Sequence, residues 1–132
     1  MTLVIDASVM VSYLISDEHS GEADAILSSL NGAAVHVPTL WVFEIASAFR
    51  SAEIARRIDR RETDAAMTFL RGFPAEYHHP NIADVTELSR AHALSVYDSS
   101  YLSLCMRDGL PLATYDGRLR RVAGGLDIPL LM

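Results

Sequence analysis

Short apolar runs alternate along the chain with longer segments whose apolar residues recur every three or four positions. The run "TLVI" (2–5) predicts a brief strand, and "DASVMVSYL" (6–14) turns from it into a helix. "AVHV" (34–37) reads as a second strand stopped by Pro38, with Thr39 placed to cap a long helix over roughly 40–57. "RETDAAMTFLRGF" (61–73) predicts a helix with Ala66, Met67, Leu70 and Phe73 on its apolar side. "AEYHH" (75–79) is a short strand closed by Pro80. "NIADVTELSRAHAL" (81–94) is helical, with Ile82, Val85, Leu88 and Ala91 or His92 along one side. A further helix follows through "LSVYDSSYLSL" (94–104). "LPLAT" (110–114) is then a strand, "DGRLRRVA" (116–123) a short helix and "LDIPLL" (126–131) a closing strand. Strands separated by helices of this length predict an α/β fold, a three-layer α/β/α sandwich around a mainly parallel sheet. No repeat, low-complexity tract or linker interrupts the 132 residues, which predicts one domain, 1–132.

Composition narrows the picture. Half the residues are apolar and about a fifth are charged, as in a globular chain. With Cys105 alone in an apolar run, no disulfide framework can form, and a buried thiol in a reducing compartment is expected. No basic-then-apolar leader opens the chain and no apolar run reaches membrane-span length, so a soluble cytoplasmic protein is expected. The net charge of −6 argues against binding nucleic acid through a broad basic surface. All eleven basic residues are Arg, which excludes any mechanism resting on a lysine, the phosphate-binding P-loop included.

Chemistry is carried by four acids. In open α/β sheets, sites form where strands end and loops lead into helices. Asp6 directly follows the first strand and Asp116 the strand at 110–114, so parallel pairing puts both at one sheet edge, although Asp between strand and helix is also a common N-cap. Glu44 lies too deep in its helix to cap it and shares a face with Leu40, Trp41 and Ala48. It either snorkels from the edge of that stripe, pairs with an Arg, or faces a site. Asp98 sits among Leu94, Val96, Tyr97, Tyr101, Leu102 and Leu104, as either the cap of a helix starting at Ser99 or a second buried acid. Carboxylates gathered in apolar surroundings repel and raise one another's pKa, and a divalent cation resolves the conflict. Oxygen ligands select Mg²⁺ or Mn²⁺, which acidifies water and stabilises charge in phosphodiester hydrolysis. Zinc fits poorly: His19, His36, His78, His79 and His92 show no ligand spacing, and "HHP" (78–80) reads as a strand end.

"LVIDASV", Glu44, "SVYDSSYLSL" and "PLATYDGRL" together resemble the PIN-domain ribonucleases, and among them the VapC-type toxins of toxin–antitoxin pairs. The acids stand 38, 54 and 18 residues apart, in the family's order, and the likeness spans essentially the whole chain. It implies a metal-dependent endoribonuclease with Asp6, Glu44, Asp98 and Asp116 around Mg²⁺ or Mn²⁺. Ser8 and Thr114 match the small hydroxyl residues of the motifs, holding water, orienting the acids or capping turns. The resemblance also implies an RNA substrate, a homodimer and a silencing antitoxin. Ser99 departs from the commoner alanine. Arg56, Arg57, Arg60 and Arg61 are expected on one helical stripe near a helix end, as solvated surface or as a contact for RNA or antitoxin. Met67, Phe69, Leu70 and Phe73 cannot all face one core, which points to an interface. A receiver-type Mg²⁺ module needs an adjacent acidic pair and a late Lys, and Ile5 and the absence of Lys speak against it. A dehalogenase-type phosphatase needs an acid where Ser8 stands. A non-catalytic PIN-like module is the remaining alternative, and the intact acids speak against that.

Overall fold

The computed structural model describes residues 2–15 and 21–132; His19 lies outside them. β1 (Val4–Ile5), β2 (Val35–Pro38), β3 (Ala75–His78) and β4 (Leu112–Ala113) form one sheet in the order β3-β2-β1-β4. Every pairing is parallel. The helices are α1 (Ala7–Leu14), α2 (Gly21–Ser29), α3 (Trp41–Ile54), α4 (Arg60–Gly72), α5 (Ile82–His92), α6 (Val96–Asp108) and α7 (Gly117–Gly125). The chain steps from β1 outward to β3, then returns to place β4 on the other side of β1. Right-handed crossovers put α1–α4 on one face and α5 and α6 on the other. In agreement, α1 packs on α2 and α3, α3 on α4, and α5 on α6, while α6 lies across β1 and β2.

Burial follows from this layering. A strand covered on both faces reads as an unbroken apolar run, and Val4, Ile5, Leu112 and Ala113 are all buried. The edge strand β3 instead mixes half-buried Ala75 and His78 with exposed Glu76 and Tyr77. Trp41, Phe49 and Tyr101 are the largest fully buried side chains. Cys105 is buried too, and burial pushes its thiol up to about 12, so it is unreactive packing.

Several boundaries differ from expectation. α2 was not foreshadowed, because "GEADAILSS" buries only Ala23 and Ile26 and has little amphipathic pattern. Thr39 does not cap α3: Leu40 holds the cap position, with no side-chain cap bond. The long helix stops at Ile54, where the Arg56 and Arg57 amides turn back onto the Glu53 and Ala52 carbonyls and Arg56 adopts φ 59°. Arg60 and Arg61 open α4 behind the Asp59 cap, so the four arginines share no helical stripe. These two stand at the positive end of the α4 dipole, against the expected benefit. The closing strand shrinks to one parallel bridge between Leu130 and Leu112, since Pro129 has no amide to extend it.

α5 ends on Ala93 in the left-handed conformation (φ 53°, ψ 39°), where Cβ crowds the backbone. Ala93→Gly should therefore stabilise the fold by about 1 kcal/mol. Denaturant melts that show a loss of stability would contradict this account of the α5–α6 corner.

Candidate active site

β1 and β4 are neighbours at the point where the strand order reverses, and a crevice forms at such a switch. Asp6 leaves β1 there, its amide donating to the Ala113 carbonyl at 2.9 Å. Asp6 is only 6% exposed and occupies the N-cap position of α1, yet its side chain makes no cap bond. Its Oδ2 accepts instead from Ser8 Oγ and Thr114 Oγ1, both at 2.7 Å. The Ser8 hydroxyl accepts in turn from the Tyr115 amide at 3.1 Å, and that of Thr114 from the Asp116 amide at 3.0 Å. Each hydroxyl is thus aimed by backbone and fixes the carboxylate. Of the roles open to Ser8 and Thr114, orienting an acid is the one seen. Burial still holds Asp6 above its ordinary value, with Asp116 adding to the effect and the hydroxyls and the Ala7 amide opposing it.

The other three acids reach the same edge by different routes. Asp116 does cap α7, its Oδ1 accepting from the Leu119 amide at 2.9 Å, while its charge is felt at both Asp6 and Asp98. Asp98 is not a cap. Ser95 caps α6, its Oγ accepting from the Asp98 amide at 3.0 Å, and Asp98 lies in the first turn. Burial raises the Asp98 carboxyl, then the charges of Asp116 and Asp6, against the opposing pull of Ser95 and Arg118. Glu44 comes from the other helical layer, in the first turn of α3. Its partner is no Arg but Tyr101, whose hydroxyl donates to Oε1 at 2.5 Å. Burial, with smaller contributions from Asp6 and Asp98, raises Glu44 to about 7 despite that bond. Tyr101 stands outside the expected site residues because it reads as core. The available signal was its place three residues after Asp98, on the same helix face.

A groove of about 600 Å³ opens beside Glu44, lined also by Ala7, Ser8, Val11, Ala48 and Tyr115. The donors at this edge are all oxygens and their charges repel, which suits a hard divalent cation. Among the described residues, the acids do not bring three candidate ligand atoms within 4.8 Å of one another. The trio that does meet the distance is His36, Glu76 and His78, correcting the expectation that the histidines show no ligand arrangement. His36 and His78 are 42 residues apart in sequence and only β2–β3 pairing unites them. Glu44 lies in the first turn of α3 and Arg56 beyond its far end, with a helical rise of about 15 Å between Glu44 and Ile54, so the arginine-rich turn is no part of the acid site.

Residues 3–125 match the PIN domain family. The chain belongs to that family. It is 32% identical over 119 residues to the ribonuclease VapC3 of Mycobacterium tuberculosis, covering 90% of this chain and 85% of the relative. It is 27% identical over 125 residues to the ribonuclease VapC3 of Pyrobaculum aerophilum, covering 90% of this chain and 92% of that one. Among solved structures, the fold is similar to VapC20 of Mycobacterium tuberculosis, a sarcin-ricin loop cleaving toxin. That match has TM-score 0.68 and 15% identity, covering 91% of this chain and 94% of that one. VapBC2 of Rickettsia felis, bound to a promoter DNA fragment, matches at TM-score 0.63 and 13% identity, covering 98% and 97%. As in these PIN-like structures, the α/β fold surrounds a parallel sheet. No described helix is long and apolar enough to cross a membrane.

The raised Glu44 carboxyl makes metal-free stability depend on pH. A group whose folded pKa exceeds its unfolded one favours folding below the unfolded value and loses that benefit as pH rises through about 7. In chelator at about pH 8, Glu44→Gln should therefore melt above the wild type, by roughly 1 kcal/mol once solvent screening is discounted. The gap should close toward about pH 3, below the ordinary glutamate value. A wild type that is the more stable at high pH would refute the electrostatic reading of the site.

Proposed function

We propose that this chain is a metal-dependent endoribonuclease, the toxin of a type II toxin–antitoxin pair, acting as a single domain over 1–132 in the cytoplasm. What supports the reading is the electrostatic influence that Asp6, Glu44, Asp98 and Asp116 exert on one another, with Asp6 locked by Ser8 and Thr114. The VapC ribonuclease relatives support an RNA substrate. A non-catalytic or receiver-type module is not favoured, because a module used only for binding has no need of four mutually repelling acids.

Asp6, Asp98, Asp116 and Glu44 would hold Mg²⁺ or Mn²⁺, which when bound supplies Lewis acidity toward the phosphodiester and acidifies water. The chain's own residues do the rest. Asp6 is preorganised by two hydroxyls and needs no reorientation. Glu44, held up at about 7 in the metal-free fold by burial and by the Asp6 and Asp98 charges, carries repulsion that a bound cation would relieve. Tyr101 fixes the Glu44 carboxyl from beneath. Arg118, whose charge reaches Asp98, supplies a cation for a backbone phosphate of the RNA. The Arg56, Arg57, Arg60 and Arg61 turn offers a further contact for RNA or antitoxin.

Homodimer formation and capture by an antitoxin belong to the same reading. Phe43 and Ile54 are 73% and 72% exposed on α3, and Phe69 is 38% exposed while packing on Tyr13 and Phe73. Apolar side chains this exposed suit partner contacts.

Asp98→Asn isolates charge from shape. Because Ser95 caps α6, the variant should fold normally, while Mg²⁺- or Mn²⁺-dependent RNA cleavage drops by at least about 100-fold. A gel-based cleavage assay showing full activity in Asp98→Asn, or undiminished activity of the wild type in chelator, defeats the proposal.

A further inference from the structure

Two histidines that the acid site does not use stand side by side on neighbouring strands. His36 Nδ1 on β2 lies 2.8 Å from His78 Nε2 on β3. The ring centroids are 5.0 Å apart and the planes 19° from parallel. Nitrogens in contact at that centroid spacing mean that the rings meet edge to edge, with the shared proton in both planes. Glu76, the register partner of His36 across the ladder, brings Oε2 to 3.3 Å from the same Nδ1. From α6, Arg107 Nη2 lies 2.9 Å from His78 Nδ1, while Nε and Nη2 both hold Asp108 at 2.9 Å.

Proton positions follow from this chain of contacts. Arginine has no lone pair to offer, so His78 Nδ1 accepts and the proton of the neutral ring sits on Nε2. That proton points at His36 Nδ1, which must accept it. The same His36 nitrogen then faces the Glu76 carboxylate, a second acceptor, with no proton between them. A second proton on His36 gives no relief, because Nδ1–H would meet Nε2–H of His78. Two acceptors 3.3 Å apart form a contact that a cation resolves.

We propose that His36, Glu76 and His78 form a site for a transition-metal cation of the zinc type, separate from the acid site. Two imidazoles and a carboxylate are a zinc donor set, and three protein ligands leave the fourth position open. The Glu76 side chain is 61% exposed, so the trio is open to solvent on that side. Tetrahedral ligands at zinc distances stand about 3.3 Å apart. The Glu76–His36 spacing already has this value, and the two histidines need to part by roughly 0.5 Å, a small side-chain rotation. Binding moves the His78 proton from Nε2 to Nδ1, which then needs an acceptor. Arg107 faces that nitrogen at 2.9 Å and offers no acceptor, while the Asp108 charge that reaches His78 favours a proton there. Arg107 therefore competes with the metal, and the occupied site pins the edge strand β3 to β2.

The test is zinc-dependent melting of the full chain, with Co²⁺ absorption as an independent readout. Zinc should raise the melting temperature of the wild type by about 3 °C or more, and Co²⁺ should give the visible spectrum of a four-coordinate ion. Asp98→Asn should keep both signals, since its carboxylate is not in the trio. Glu76→Gln, at an exposed side chain, should weaken zinc binding at least about tenfold, and His36→Asn should abolish it. Arg107→Ala, by removing a competing charge, should bind about tenfold tighter. The proposal is overturned by a wild type that zinc does not shift, or by a shift that survives Glu76→Gln. Loss of the shift in Asp98→Asn, or an Arg107→Ala protein that binds no tighter, overturns it as well.

Discussion

The cost of holding the Asp6 carboxylate out of water organises this molecule. An unpaired buried carboxylate is prohibitive, and two hydroxyls at 2.7 Å are the compensation. Those hydroxyls come from α1 and from the residue after β4; the Ser8 bond is local, but the Thr114 bond exists only if β1 and β4 are adjacent and parallel. Asp6 therefore ties the chemistry to the strand order. The Tyr115 and Asp116 amides complete the arrangement by aiming the same hydroxyls, which leaves little rotational freedom at the centre of the site.

The remaining acids depend on that same reversal of strand order. Glu44 arrives on α3 from one helical layer and Asp98 on α6 from the other. They come to one edge because β1 and β2 deliver their following elements there, and α6 begins at that edge, with Asp98 in its first turn, before running back to β4. Tyr101 links the two layers, rising from α6 to hold a carboxylate of α3. The result is an electrostatically strained group of oxygens in a scaffold whose apolar core is otherwise continuous. Such strain persists at a functional edge because the surrounding packing fixes it.

Much of this was legible in the chain itself. Apolar runs such as "LVI" and "PLA" gave away covered parallel strands, and an acid after each marked the productive edge. Glu44 was legible as an anomaly, a carboxylate on a helix face carrying Leu40 and Trp41. Features that depend on tertiary placement were not. Ser95 rather than Asp98 caps α6, since several residues could have opened that helix and only backbone geometry chooses among them. Tyr101 passes for core because its ring is core and only its hydroxyl reaches Glu44. α2 lacks a strong apolar stripe, and Arg56 ends α3 through a left-handed turn that no glycine announces. The His36–Glu76–His78 cluster was invisible, being created by pairing between strands far apart in sequence.

The central claim is that the acids at the β1–β4 edge form one cation site. The most direct measurement is paramagnetic broadening of backbone amide signals during titration with Mn²⁺, which favours oxygen donors. The earliest and strongest broadening should fall on the amides of Ala7, Ser8, Asp98, Ser99 and Gly117, with Glu44 and Ile45 following from the opposite layer. Broadening that starts elsewhere on the surface, or none until the ion is in large excess, would mean that these carboxylates are neighbours without being a site.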